Sequence, residues 1–262
     1  MGNILASTFL AVVPIRAEAS HRSEIISQIL FGECFEVLEK DREWIKIKNL
    51  YDDYEGWVDE KQVVYLDNDY QKTEHFDIRF SNSFGAIAIK AQTDNRTFLP
   101  LGASLPINRQ GKVEIAQHIY DLESFQHIIK PDVSTFKEHV LDIAKQFIDA
   151  PYLWGGRTHF GIDCSGFSQI VYKVCGIKIK RDAWQQAEQG KLVDFLSQAQ
   201  TGDLAFFDNE EGKITHVGIM INNNLIIHAS GRVKIDLIDD QGIFSSDLKR
   251  YSHKLRIIKR YV

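Results

Sequence analysis

The sequence predicts an α+β chain in which small all-β barrels precede a domain of helices and antiparallel strands. Up to about Ile129, short runs of β-formers alternate with turn residues and helical periodicity is scarce. From Pro131 onward, apolar residues recur at helical spacing before further strand-like runs begin. The 262 residues, 44% hydrophobic and 26% charged, suffice for one large or two to three small globular domains.

The first strand is expected over Phe9 to Arg16. Cys34 to Leu38, Trp44 to Ile47, Gly56 to Val58 and Val63 to Leu66 follow, giving a first barrel over residues 1–68. Within it stand Leu30-Phe31-Gly32-Glu33, Trp44-Ile45-Lys46-Ile47 and Tyr54-Glu55-Gly56-Trp57-Val58. This succession of a Gly turn, a Trp-x-Lys-Ile strand and Gly-Trp-Val resembles bacterial SH3-like domains. A second barrel is expected over 69–131, with strands at Ala86 to Ala91, Thr97 to Leu99 and Lys112 to Ile115, and a turn and strand at Leu99 to Leu105. No Gly-Trp signature recurs there.

The third domain spans 132–262. Ser134 is the expected N-cap of a helix carrying Phe136, Val140, Ile143, Ala144 and Phe147 on one face and stopping by Pro151. A second helix starts at Asp163 or Cys164, buries Phe167, Ile170, Val171 and Val174, and stops at Gly176. Strands are expected at Asp203 to Phe207, His216 to Ile221, Leu225 to Ala229 and Lys254 to Lys259.

The net charge of −5 argues against a dedicated nucleic-acid binder. No apolar run approaches the roughly 18 residues of a membrane span. Ile4 to Ile15 is apolar, but no Lys or Arg precedes it and Pro14 and Arg16 interrupt its end. A cytoplasmic chain is therefore expected; a periplasmic or secreted one that had lost its signal reads the same. Three cysteines without dense spacing make no disulfide framework, and Cys34 and Cys175 read as small buried hydrophobes.

Cys164 is the informative cysteine. At a helix N-terminus its sulfur would meet unpaired N–H groups and the positive end of the dipole, an environment that favours thiolate. His216 and His228 flank Asn222-Asn223-Asn224. A hairpin with that three-residue loop pairs Gly218 with His228 and sets both imidazoles on one sheet face, opposite the apolar Val217, Ile219, Ile221, Leu225, Ile227 and Ala229. Thiol and imidazole together suit nucleophilic catalysis. A zinc site from Cys164, His216 and His228 is chemically conceivable, but no Cys-x-x-Cys or His-x-x-x-His pair accompanies it. The expected site holds no metal and uses no cofactor.

These residues resemble the NlpC-type cell-wall cysteine peptidases, a papain-like family. The resemblance rests on Tyr152-Leu153-Trp154-Gly155-Gly156, Asp163-Cys164-Ser165-Gly166-Phe167, Arg181-Asp182, Gly202-Asp203-Leu204, His216-Val217-Gly218-Ile219 and Ile227-His228-Ala229. With SH3-like domains in front, the chain is similar to γ-D-glutamyl-L-diamino-acid endopeptidases. The resemblance implies Cys164 as nucleophile, His216 as general base, His228 as its orienting partner and Tyr152 as an oxyanion donor. It further implies a substrate such as the murein tripeptide L-Ala-γ-D-Glu-diaminopimelate. Its free N-terminal amine would be read by a site involving Glu33, Tyr54, Trp154, Asp163, Ser165 and Asp182. Relatives often carry Ser after the Arg-Asp pair; here Ala183 stands there, so one substrate hydrogen bond is lost or supplied by Gln185 or Gln186. A monomer is expected. The rival readings are a secreted hydrolase of intact peptidoglycan and a non-catalytic cell-wall binding protein.

Overall fold

A computed structural model of the protein describes residues 4–67, 70 and 76–262. The barrel boundary expected at 68–69 lies outside the described residues. The chain forms two compact units: residues 1–131 with 154–158, and residues 132–153 with 159–262.

The first unit holds two antiparallel sheets. One comprises β1 (Ile4–Ser7), β2 (Val12–Arg16), β3 (Ile25–Leu30), β4 (Cys34–Asp41), β5 (Trp44–Asn49), β6 (Glu55–Asp59) and β7 (Val64–Tyr65), in the order β3-β2-β6-β5-β4-β1-β7. Alternate residues point inward, so Val13, Ile15, Phe35, Ile45, Ile47 and Val58 form one core. The strand expected from Phe9 to Arg16 starts only at Val12, because a turn after β1 takes up its first residues. Thr8 Oγ1 accepts from Leu10 N–H at 3.1 Å and breaks the run.

The other sheet comprises β8 (Asp77–Ser81), β9 (Ile87–Lys90), β10 (Arg96–Phe98), β11 (Ser104–Ile107), β12 (Val113–Ile115), β13 (His118–Leu122) and β14 (Ile128–Ile129), in the order β10-β9-β13-β12-β11-β8-β14. Its core of Ala88, Leu105, Val113, Ile115 and Tyr120 also takes in Phe31 from the turn after β3. At Gly32, φ is +72°, and an added Cβ would strike the Ser104 carbonyl, so glycine suits both the turn and the close approach.

The segment 154–158, including β15 (Arg157–Thr158), belongs to this unit through Arg157. Its guanidinium is fully buried and binds both oxygens of the buried Glu33 carboxylate, at 2.8 and 2.9 Å. It also donates to the Gln28 carbonyl at 2.6 Å, while Arg157 N–H donates to Gln28 Oε1 at 2.7 Å.

In the second unit, α1 (Phe136–Lys145) follows a 3-10 turn at Val133–Thr135. Asp132, rather than Ser134, starts this segment: its carboxylate accepts from Ser134 N–H at 2.9 Å. Next come β16 (Gly161–Ile162), α2 (Cys164–Val174), α3 (Ala183–Ala187) and β17 (Lys191–Val193). The strands β18 (Leu204–Asp208), β19 (Ile214–Met220), β20 (Leu225–Ser230), β21 (Arg232–Asp239), β22 (Gly242–Ser245) and β23 (Arg250–Arg260) pair in succession. Because β23 also pairs with β18, they close into a barrel, with β17 paired to β23. Ala205, Phe207, Met220, Ile226, Ile238 and Ile258 pack in one core. α2 packs on β19 and β20 and is buried along its whole length.

Candidate active site

Two local devices set Cys164. Asp163 is extended and N-caps α2, its Oδ1 accepting from Gly166 N–H at 2.6 Å. Arg181 clamps the same carboxylate with contacts of 3.0 and 2.6 Å and also donates to Ser165 Oγ at 2.8 Å. Both partners of this ion pair are buried. Cys164 thus begins the helix with its residue 6% exposed and its sulfur 4.0 Å from the Thr215 carbonyl.

The hairpin forms in the expected register. Gly218 pairs with His228, and Ile221 N–H donates to Leu225 O at 2.9 Å across the asparagine loop. His216 Nε2 lies 2.9 Å from His228 Nδ1. A Cβ at Gly218 would come within 2.9 Å of the His228 Cβ and 2.7 Å of Ile226 Cδ1, so only glycine leaves the rings this close. Val217, Ile219, Ile227 and Ala229 are fully buried on the opposite face, as expected, while Ile221 and Leu225 beside the loop are half-buried. The imidazole face differs from expectation: it is not merely the site face. Barrel closure makes it the lining of a second core, which it shares with Met220 and Ile226.

Two residues not singled out from the sequence complete the cluster. Asp236 Oδ2 lies 3.2 Å from His228 Nε2, with both side chains fully buried. His253 stacks on His216, with ring centroids 4.0 Å apart and planes 22° apart. His216, His228 and His253 bring ligand atoms within 4.8 Å of one another, among the described residues the one grouping close enough to share an ion. The facing nitrogens of His216 and His228 are already joined by a hydrogen bond.

The helix-start expectation of a resting thiolate is overturned by burial. Desolvation, reinforced by Asp163, pushes the Cys164 thiol up to about 12, outweighing the Val217 and Ser165 N–H groups and Arg181. Burial, helped by His253 and His228, holds His216 well below the ordinary histidine range. Burial thus favours the uncharged form of each group. Burial, with Cys164 and Asp163 nearby, raises the Tyr152 hydroxyl far above its usual value, so it remains a proton donor. Tyr152 is held beside Ile162, just before Asp163, by a parallel bridge.

A pH dependence follows from the buried His216 and His228 and the half-buried His253, the last lowered to about 4 by desolvation and by His228 and Lys234. Their folded values lie below the unfolded one, so below about pH 6.5 the unfolded chain binds more protons. Their contribution to stability is complete above that pH and is lost as the pH falls. Calorimetry should show Tm constant from pH 8 to 7 and declining below 6.5; a flat Tm down to pH 5 would contradict the buried, neutral assignment.

Asp182 N-caps α3, its N–H donating to Gln185 Oε1 at 3.1 Å. Gln186 is buried, donates to the Ser165 and Lys180 carbonyls and accepts from Ser168 Oγ. Both glutamines beside Ala183 therefore have internal tasks. Glu33, Tyr54 and Trp154 belong to the first unit. There Glu33 binds Arg157, Tyr54 N–H donates to Asp52 Oδ1 at 3.0 Å, and the exposed Trp154 donates to Glu24 Oε1 at 2.5 Å.

Comparison with known proteins gives matches in both units. The NlpC/P60 family model matches residues 149–250, and that of the bacterial dipeptidyl-peptidase SH3 domain matches 15–63. A gamma-D-glutamyl-L-lysine dipeptidyl-peptidase of Bacillus subtilis is 31% identical over 219 residues, covering 78% of this chain and 72% of that protein. Dipeptidyl-peptidase 6 of Lysinibacillus sphaericus is 27% identical over 258 residues, covering 86% and 88%. The crystal structure of an NlpC/P60 family protein from Bacillus cereus matches with a TM-score of 0.81 at 19% identity, covering 98% of this chain and 99% of that one, a likeness of fold.

Proposed function

The chain belongs to the NlpC/P60 family of cell-wall peptidases, and from that membership we propose that it is a cysteine peptidase cutting γ-D-glutamyl-L-diamino-acid bonds in small murein peptides. The observation that carries the reading is Cys164 at the head of α2, on the unit that also holds the hydrogen-bonded His216–His228 pair. In this reading His216 Nδ1 takes the thiol proton as Sγ attacks the γ-carbonyl carbon. The Tyr152 hydroxyl and the Cys164 N–H steady the oxyanion. The C–N bond breaks as His216 returns the proton to the leaving amine, and water then hydrolyses the thioester, restoring the thiol.

A cavity of about 800 Å³ is lined in part by Thr215 and His253. Its opposed charges, Asp208 and Glu210 against Lys254 and Arg256, suit a leaving diamino acid that bears both ammonium and carboxylate groups. Two names among the relatives, gamma-D-glutamyl-L-lysine dipeptidyl-peptidase and dipeptidyl-peptidase 6, support a dipeptide-releasing activity. The free L-Ala amine would be read by acidic groups near the site, Asp182 foremost. The roles of Ser165 and of Glu33, Tyr54 and Trp154 toward substrate rest on the family resemblance. We also read the second seven-stranded sheet as a further SH3-like barrel and the cytoplasm as the site of action.

Mass-spectrometric product analysis tests the substrate. Free L-Ala-γ-D-Glu-diamino-acid peptide should yield L-Ala-D-Glu, N-acetylation of its alanine should abolish cleavage, and whole murein should remain intact. Cleavage of whole murein together with the acetylated peptide would select the secreted-hydrolase reading instead.

A further inference from the structure

β21 buries the wrong residues for its sequence. Along Lys234-Ile235-Asp236-Leu237, strand alternation would ordinarily turn the aliphatics inward and the charges outward. Here Lys234 and Asp236 are 8% and 2% exposed, whereas Ile235 and Leu237 are 40% and 55% exposed. Register accounts for it: Lys234 pairs with His228 and Asp236 with Ile226, so both charged side chains share the imidazole face. A strand that buries an ion pair while exposing two aliphatics sacrifices hydrophobic stabilisation, so the buried pair needs a reason.

We propose that Asp236 is a positioning residue that fixes the tautomers of both imidazoles behind Cys164. The proposal rests on the reading of Cys164 and His216 as nucleophile and base. An ionised carboxylate only accepts hydrogen bonds, so at 3.2 Å Asp236 requires the proton of His228 to sit on Nε2. His228 Nδ1 is then a lone pair and accepts from His216 Nε2–H across 2.9 Å. That leaves His216 Nδ1 unprotonated, the state a general base must have. The groups facing His228 are His216, His253, Lys234 and Asp236. Lys234 Nζ lies 3.3 Å from Asp236 Oδ2 and 2.9 Å from Asp247 Oδ2. Its charge balances Asp236, so His228 is not driven to the doubly protonated form, which would reverse the relay.

Ser246 makes the test sharp. Its N–H and Oγ donate to Asp236 Oδ1 at 3.0 and 2.8 Å. In Asp236→Asn these donors hold the amide oxygen in the Oδ1 position and turn the NH₂ toward His228 Nε2. His228 must then accept there and carry its proton on Nδ1, which forces His216 to hold its own proton on Nδ1, the nitrogen that the proposed mechanism needs as a base.

The experiment is ¹⁵N–¹H correlation NMR on histidine-labelled wild type and Asp236→Asn, with steady-state kinetics on the murein tripeptide. Wild type should show His228 and His216 each protonated at Nε2. The variant should show both protonated at Nδ1, with kcat down on the order of 10²–10⁴-fold, as for an inverted relay tautomer, and KM little changed. His228 protonated at Nδ1 in wild type overturns the proposal, and that spectrum decides alone if the variant does not fold. A folded variant with unchanged tautomers, or with wild-type kcat, also overturns it. If wild type cleaves no murein peptide, the peptidase reading fails, while the tautomer readout still decides the role of Asp236.

Discussion

Cys164→Ala should leave the protein folded and without hydrolytic activity. Removing a nucleophile from a unit that acts together typically costs on the order of 10⁵-fold or more in kcat. The fold should survive because replacing a buried thiol by hydrogen leaves a void of about one atom, costing roughly 1–2 kcal/mol at most. The Asp163 cap and the Arg181 clamp do not depend on the sulfur. Kinetics and circular dichroism on one preparation check both halves. Retained turnover would remove Cys164 from the mechanism. The raised thiol value adds a second signature: alkylation of substrate-free protein should be slow at pH 7 and accelerate steeply as pH rises.

The parts of the site that follow local rules were legible in the sequence. Asp163 ahead of an apolar helical stripe announced the start of α2, and Asn222-Asn223-Asn224 between apolar runs announced the hairpin and the parity of its histidines. Asp236 was hidden because β21 inverts the usual burial, so its pattern reads as a surface strand with its charges outward. His253 lies on β23, where register shifts against β18 and β22 break any count of parity. The charge favoured at Cys164 is not legible in the sequence, because helix position is visible there while burial depth is not. The allegiance of residues 154–158 to the first unit depends on Arg157 meeting Glu33, a partner 124 residues away.

That pairing yields the largest expected effect on stability. Arg157 and Glu33 are 0% and 2% exposed at their side chains and joined by two short contacts. Glu33→Gln removes one charge and leaves the guanidinium buried beside a neutral amide, a change that costs roughly 3–5 kcal/mol. For a unit of this size that lowers Tm on the order of 10 °C. The double variant Glu33→Met with Arg157→Met removes both charges and should recover much of the loss. It should not recover all of it, because the Gln28 carbonyl loses its guanidinium donor. The same substitution separates two roles for Glu33. A carboxylate that reads the substrate amine would, when neutralised, raise KM while Tm stays put. A carboxylate whose charge serves Arg157 would lower Tm, and stabilising conditions should then restore kcat/KM. Both oxygens of Glu33 accept from Arg157, and one also accepts from Leu30 N–H at 2.9 Å, so the stability loss is the expected outcome. A double-mutant cycle with Arg157 that returned no coupling energy would sink it.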